Sequence, residues 1–204
     1  MTASAPRCLD TGRARDRAIV VALLALLTAS TEVRANERLK ELMQQLAQRQ
    51  HGHVAFVERQ SIALLDRPLE SSGELFYDAP DRLEKRTLLP KAESLVLEKG
   101  ALTVRRGAHT YAVSLREYPQ IVPFIDSIRA TLAGDLIALE RAYTLTFDAT
   151  ENDWTILLAP QDAKLAALVA RIRISGSHDM IQTVEILRAD GDRSVMAIRA
   201  IPET

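Results

Sequence analysis

The sequence predicts an α+β, mainly β domain: a strongly bent antiparallel sheet of about eleven strands, an incomplete barrel, with helices over its concave side. Three observations predict it. Apolar and polar residues alternate over many short segments, as in sheets with one dry face and one solvated face. Turn dipeptides such as Lys99-Gly100, Arg106-Gly107 and Asp190-Gly191 join consecutive segments tightly, which makes neighbours antiparallel and excludes βαβ crossovers. Only a few stretches carry helical spacing, and a sheet with one apolar face needs them as cover.

The opening 35 residues read as a cleavable export signal. Arg13, Arg15 and Arg17 precede the apolar run Ala18 to Leu27, and Val33-Arg34-Ala35 supplies a cleavage site before Asn36. The apolar run, roughly ten to twelve residues, is short of the ~20 that a spanning helix needs. Cys8, the sole cysteine of the 204 residues, lies upstream of that run and would leave with it. The mature chain, residues 36–204, is then a single domain with neither a disulfide nor a lipid anchor, held by packing alone.

Asn36 is placed to cap a helix on which Leu39, Leu42, Met43 and Leu46 share one face, ending near His51-Gly52. Strand character then appears near 53–65, 70–78, 82–89, 93–99, 101–106 and 109–116. Residues 119–140 return to helical spacing through Val122, Ile125, Ile128, Leu132, Leu136 and Leu139, with Pro119 and Pro123 near the start and a break at Gly134. Strands follow near 142–148 and 153–159, then a short helical stretch from Gln161 to Ala170, then strands near 170–176, 180–189 and 193–200. Alternation is cleanest in Tyr111/Val113/Leu115, Tyr143/Leu145/Phe147, Trp154/Ile156/Leu158 and Ile172/Ile174.

Composition excludes some functions. The net charge is −1, with acids and bases interspersed, so no basic stripe exists to neutralise a run of phosphates. His51 and His53 share a strand face but lack further ligands at metal spacing, and His109 and His178 stand alone. Ser71-Ser72-Gly73 and Ser175-Gly176-Ser177 read as strand bends rather than nucleophile elbows, and Asp190-Gly191-Asp192 reads as a hairpin turn, not a calcium loop. No phosphate-cradling loop is present, so no cofactor, no metal and no enzymatic activity is expected.

Several segments carry a family resemblance. Phe56-Val57-Glu58-Arg59 in the first strand, Gly73-Glu74-Leu75-Phe76-Tyr77-Asp78-Ala79-Pro80-Asp81-Arg82-Leu83, Trp154-Thr155-Ile156-Leu157-Leu158-Ala159-Pro160 and the closing hairpin around Asp190-Gly191-Asp192 occur in the order found in LolA proteins. The chain therefore resembles the LolA family of periplasmic outer-membrane lipoprotein carriers, and looks like a divergent branch of it. One position departs: Ala79 stands where LolA proper has the arginine tied to lid closure and release. The resemblance implies a monomeric periplasmic carrier that holds acyl chains of a lipoprotein or other lipid and exchanges them with membrane-bound donor and acceptor proteins.

The candidate lipid-binding lining, taken from the alternation, comprises Phe56, Leu75, Tyr77, Tyr111, Val113, Leu115, Tyr143, Leu145, Phe147, Trp154, Ile156 and Leu158 from the sheet. Phe124, Ile128, Leu132 and Leu136 would face them from the helix. The plainer reading of the same side chains is an ordinary closed core, because alternation marks burial and not a ligand. Two other functions fit the fold: a periplasmic interaction or sensor domain that binds protein without transporting lipid, and an unrecognised hydrolase.

Overall fold

The computed structural model describes residues 35–117 and 122–201. Most of the expected export segment, with Cys8, lies outside the described residues, as does Pro119. Two compact units divide the chain, Met1–Glu37 and Arg38–Thr204, and the sheet with its core belongs entirely to the second.

Helix α1 covers residues 35–47. Six strands follow as a meander: β1 (His51–Ser61), β2 (Leu69–Asp78), β3 (Arg82–Leu89), β4 (Glu93–Glu98), β5 (Ala101–Arg106) and β6 (His109–Ser114). A 3₁₀ turn at Leu115–Glu117 precedes α2 (Val122–Leu132) and α3 (Leu136–Ala142). The second meander contains β7 (Tyr143–Ala149), β8 (Asp153–Pro160), the one-turn helix α4 (Ala163–Ala166), β9 (Val169–Ser177), β10 (Met180–Arg188) and β11 (Arg193–Ala200).

All eleven strands form one antiparallel sheet in the order β6-β5-β4-β3-β2-β1-β11-β10-β9-β8-β7. The first strand pairs with the last, joining the two meanders side by side, and β6 and β7 do not meet. The result is an open half-barrel. The eleven segments read from alternation correspond one to one with these strands, with ends displaced by no more than a few residues.

Register sorts every strand residue onto one of two faces, because partners directly across the ladder point the same way. On β7 to β10 the helix-covered, inner face carries Tyr143, Leu145, Phe147, Trp154, Ile156, Leu158, Ile172, Ile174, Val184 and Ile186. These pack with Leu39, Leu42, Met43 and Leu46 of α1, Leu139 of α3 and Leu165 of α4 into one core, in which Ile156 and Leu158 are 0% exposed. The outer face is solvated and laced with charge: Glu84 accepts from Arg82 at 2.7 Å, Arg86 at 2.9 Å and Ser94 at 3.2 Å.

The helical stretches are shorter than their periodicity suggests, for identifiable reasons. The long one breaks at Gly134, whose φ of 65° ends α2, and Asp135 then caps α3 through Ala138 N–H at 3.0 Å. The stretch 161–170 yields one turn, because the Asp162 carboxylate caps Lys164 and Leu165 while Val169 is already paired with Arg188 in the β9–β10 ladder. No helix of the described residues is long and apolar enough to cross a membrane.

Candidate functional site

The inner face is not uniform. Over β7 to β10 it is covered by α1, α3, α4 and Ala130 of α2, with Leu145, Phe147, Val184 and Ile186 part-buried at the margin. Over β2 to β6 the same face continues through Leu75 and Tyr77, Leu83, Leu95 and Leu97, Leu102 and Val104, then Tyr111 and Val113. Of these only Tyr77 and Leu97 are buried; Leu75, Leu83, Leu95, Leu102, Val104 and Val113 are half-buried, and Tyr111 is 57% exposed. Helix α2 contributes half-buried Ile125, Ile128 and Leu132 and a cation, Arg129, that lies 3.9 Å from Asp81 beside Tyr77. Burial pushes the Tyr77 phenol pKa up, against the opposing pull of Arg129.

The candidate lining is therefore divided between two environments. Tyr143, Trp154, Ile156 and Leu158 sit in the closed core, with Leu136, Leu145 and Phe147 packed at its margin. Leu75, Tyr77, Tyr111 and Val113 lie together on the open half, and Leu115 is buried in the 3₁₀ turn rather than on β6. Ile128 and Leu132 are on α2, and the side chain of Phe124 lies outside the described residues. Trp154, a candidate for a polar edge at a cavity mouth, is 6% exposed and donates its indole N–H to the His178 carbonyl at 2.7 Å.

Leu83, Leu95, Leu97, Leu102 and Val104 extend the open strip and are absent from the alternation-based set. The signal was present. Lys99 and Gly100, with φ of 50° and 73°, make a two-residue hairpin that sets Leu97 opposite Leu102 and Leu95 opposite Val104. Reading register outward from that turn identifies all four. Leu83 was harder to read, because Lys85 interrupts the apolar series of β3.

Phe56 stands between the two halves, beside a polar cluster on the inner face. Glu58, 5% exposed, accepts hydrogen bonds from Ser194 at 2.6 Å, Gln60 at 3.1 Å and Ser71 at 3.5 Å, and pairs with Lys85. The Lys85 ammonium reaches it 5.0 Å above the Phe56 ring. Burial pushes the Glu58 carboxyl up, but the bonds from Lys85, Ser194 and Gln60 outweigh it and hold the pKa below the ordinary 4.5.

Two clefts adjoin this face. One of about 560 Å³ lies between α1 and the β7–β8 and β9–β10 turns, lined by mixed polar groups including Arg38, Glu41, Gln45, Asp153 and Asp179. The other, about 350 Å³, has Ile62, Leu168, Val169 and Ile186 as apolar walls, Glu58, Gln60 and Ser194 beneath, and Arg188, Asp192 and Arg193 alongside. Among the described residues no set of His, Cys, Asp or Glu is arranged to hold a metal. His51 instead pairs with Asp78 at 2.9 Å, and His53 stacks on Phe76 at 4.3 Å between centroids.

The described residues form an open antiparallel half-barrel whose helices cover part of one face and leave an apolar strip part-exposed beside it. The chain belongs to the outer membrane lipoprotein carrier protein LolA-like family, whose sequence profile matches residues 29–200. Among solved structures it is similar to a LolA superfamily protein from Nitrosomonas europaea, at 8% identity over 80% of this chain and 94% of that one, with a TM-score of 0.40. A DUF1329 family protein from Desulfovibrio piger is similar at 12% identity, covering 84% of this chain and 94% of that one, with a TM-score of 0.45. The MucA/MucB complex of Pseudomonas aeruginosa is similar at 11% identity, covering 81% and 59%, with a TM-score of 0.44. Comparison with curated proteins returned no match.

Proposed function

We propose that this chain is a periplasmic carrier, exported by its first 35 residues, which binds an acyl chain of a lipoprotein or other lipid on the open strip of β2 to β6 beneath α2. One observation supports this reading above the others: the same apolar face is mostly fully buried over β7 to β9, while over β3 to β6 it is mostly only part-buried, with Tyr111 57% exposed. A closed core needs no such strip, and contiguous apolar surface left partly in water marks a binding face. The physical task is to keep a hydrocarbon out of water. Burying a methylene is worth about 0.8 kcal/mol, so a sixteen-carbon chain gains on the order of 12 kcal/mol, similar to what a bilayer offers. A carrier that comes near that value exchanges its cargo reversibly without any covalent step. A movable cover limits the cost of an empty site, which for a rigid apolar void would be roughly 24 cal/mol per Å³, and α2 is the candidate cover because its Arg129 lies 3.9 Å from Asp81 at the β2–β3 turn.

The test is titration of the purified protein with a fluorescent sixteen-carbon fatty acid, with native mass spectrometry of the protein taken from its own host. Saturable binding is expected, with Leu102→Asp and Val104→Asp each weakening it at least tenfold while leaving the circular dichroism spectrum unchanged. If neither method finds an apolar ligand, the carrier reading fails. One feature favours a second reading, a protein-binding domain without lipid: His109 to Ala112 of the edge strand β6 are exposed and paired only to β5. An extended segment of a partner could add to that edge. Hydrogen-exchange protection of β6 by a protein partner, in a preparation that binds no fatty acid, would select it.

A further inference from the structure

The inner face is graded along its strands as well as across them. Near the β2–β3 turn it is apolar: Tyr77, Leu83, Leu97, Leu102 and Val113 form one cross-strand row, and Leu75, Leu95, Val104 and Tyr111 lie in the next. Lys85 belongs to that second row, directly opposite Leu75 and Leu95, and turns its ammonium away from them, over Phe56, to Glu58. Farther along, the face becomes polar. Glu58, Ser71, Gln60 and Ser194 cluster on β1, β2 and β11, and Glu93 accepts from Arg106 Nε at 2.6 Å on β4 and β5. The 350 Å³ cleft opens over this polar end, with Glu58, Gln60 and Ser194 beneath it.

A buried ion pair on an apolar face is a poor stabilising device, since apolar residues of similar volume serve as well or better. Its position suggests a different use. The cleft and the strip meet at Lys85 and Glu58, one offering hydrogen bonds and paired charges, the other hydrocarbon.

We infer that the Glu58–Lys85 cluster and the adjoining cleft form a head-group station, which fixes the direction in which an amphiphile lies and selects a head of no net charge. The inference rests on the carrier reading of the strip and adds its orientation and head-group class. The acyl tail runs from Lys85 toward Tyr77, Leu83, Leu97 and Leu102, and the head enters the cleft by Glu58, Gln60 and Ser194. Charge selection follows from pairing. Lys85 is held by Glu58, Arg106 by Glu93, Arg188 by Asp190 and Asp192, and Arg193 by Glu185. An anionic head would have to displace a carboxylate from its cation, and a cationic head a lysine or arginine from its acid. A zwitterionic or hydroxyl-rich head displaces neither and hydrogen-bonds to both.

Photolabelling of the wild-type full chain tests this without any risk of misfolding. Two sixteen-carbon lysophosphatidylethanolamine probes carry a diazirine on the head or at the chain terminus, and adducts are mapped by peptide mass spectrometry. The head probe is expected on 58–71 and 186–194, and the tail probe on 77–83 and 95–104. In parallel, lysophosphatidylethanolamine and monopalmitoylglycerol are expected to bind at least tenfold tighter than lysophosphatidylglycerol of the same chain length. The double variant Glu58→Leu, Lys85→Met is expected to lose that preference. Reversed or indiscriminate labelling, or equal affinity for all heads, overturns the head-group station and leaves the carrier reading intact. Failure of every amphiphile to bind overturns both.

Discussion

Glu58 and Lys85 illustrate how much one misplaced polarity costs and what it takes to tolerate it. Removing Lys85 leaves a carboxylate 5% exposed among Phe56 and Met196 neighbours, with only neutral donors. Breaking such a pair costs about 3–5 kcal/mol when fully buried, and the partial exposure of Lys85 brings the expectation for Lys85→Met to about 2–3 kcal/mol. Replacing both partners together, Glu58→Leu with Lys85→Met, is expected to change stability by about 1 kcal/mol or less, since no orphan charge remains. A double-mutant cycle by urea denaturation reads both. The pH dependence has a definite sign. The Glu58 and Glu84 carboxyls lie below the ordinary 4.5 in the folded chain, the first held by Lys85, Ser194 and Gln60, the second by Arg86, Arg82 and Ser94. Their stabilisation is therefore fully present above pH 4.5 and lost as the pH falls through their folded values. The stability gap between wild type and Glu58→Gln is expected to be largest near neutrality and to close on acidification. A gap that stays constant from pH 7 to pH 3 contradicts the assignment.

At the scale of elements, the strands were legible because period-two alternation and turn dipeptides report backbone geometry directly, whereas site membership was legible only in part. Tyr143, Ile156 and Leu158 alternate as cleanly as Val113 and Leu75, yet the first group is sealed under α1 and α3 while the second is not. Alternation states which face is dry. Which part of that face a helix covers depends on tertiary contacts such as the one-turn α4 and the break at Gly134. The polar cluster was missed for a related reason: Glu58 and Lys85 are 27 residues apart and meet only because β2 lies between their strands. Gly73, the β2 residue between Phe56 and Thr87, shows what that crossing requires. The ladder shifts register there, and a Cβ on Gly73 would lie 2.0 Å from the Arg86 carbonyl oxygen. Gly73→Ala is expected to destabilise the fold by about 2–3 kcal/mol, as for an overpacked site, and to loosen β3. Thermal denaturation measures the first, and amide exchange of 82–89 the second.

The whole sheet is continuous, but its two halves are stabilised unequally, and this difference yields a test of how the molecule works. Over β7 to β10 the inner face is covered by α1, α3, α4 and Ala130 of α2, and a deletion there removes packing outright: Leu158→Ala, at a 0% exposed site, is expected to cost about 3–4 kcal/mol and to leave lipid affinity unchanged. Over β3 to β6 most inner residues are only part-buried, and among the described residues β6 is paired on one side only, so local opening there needs less free energy. Native-state hydrogen exchange of the empty protein is therefore expected to show slow amides on β7 to β10 and faster ones on β4 to β6. A ligand that binds only the folded state adds RT ln(1 + [L]/Kd), about 2.7 kcal/mol at a hundredfold excess over Kd. If the strip is the site, saturation with a sixteen-carbon amphiphile slows exchange selectively on β2 to β6 and α2, while β8 and β9 change no more than global stabilisation requires. Protection appearing first under α1 and α3 would place the ligand in the half that the structure shows closed, and would require those helices, rather than α2, to be the moving cover.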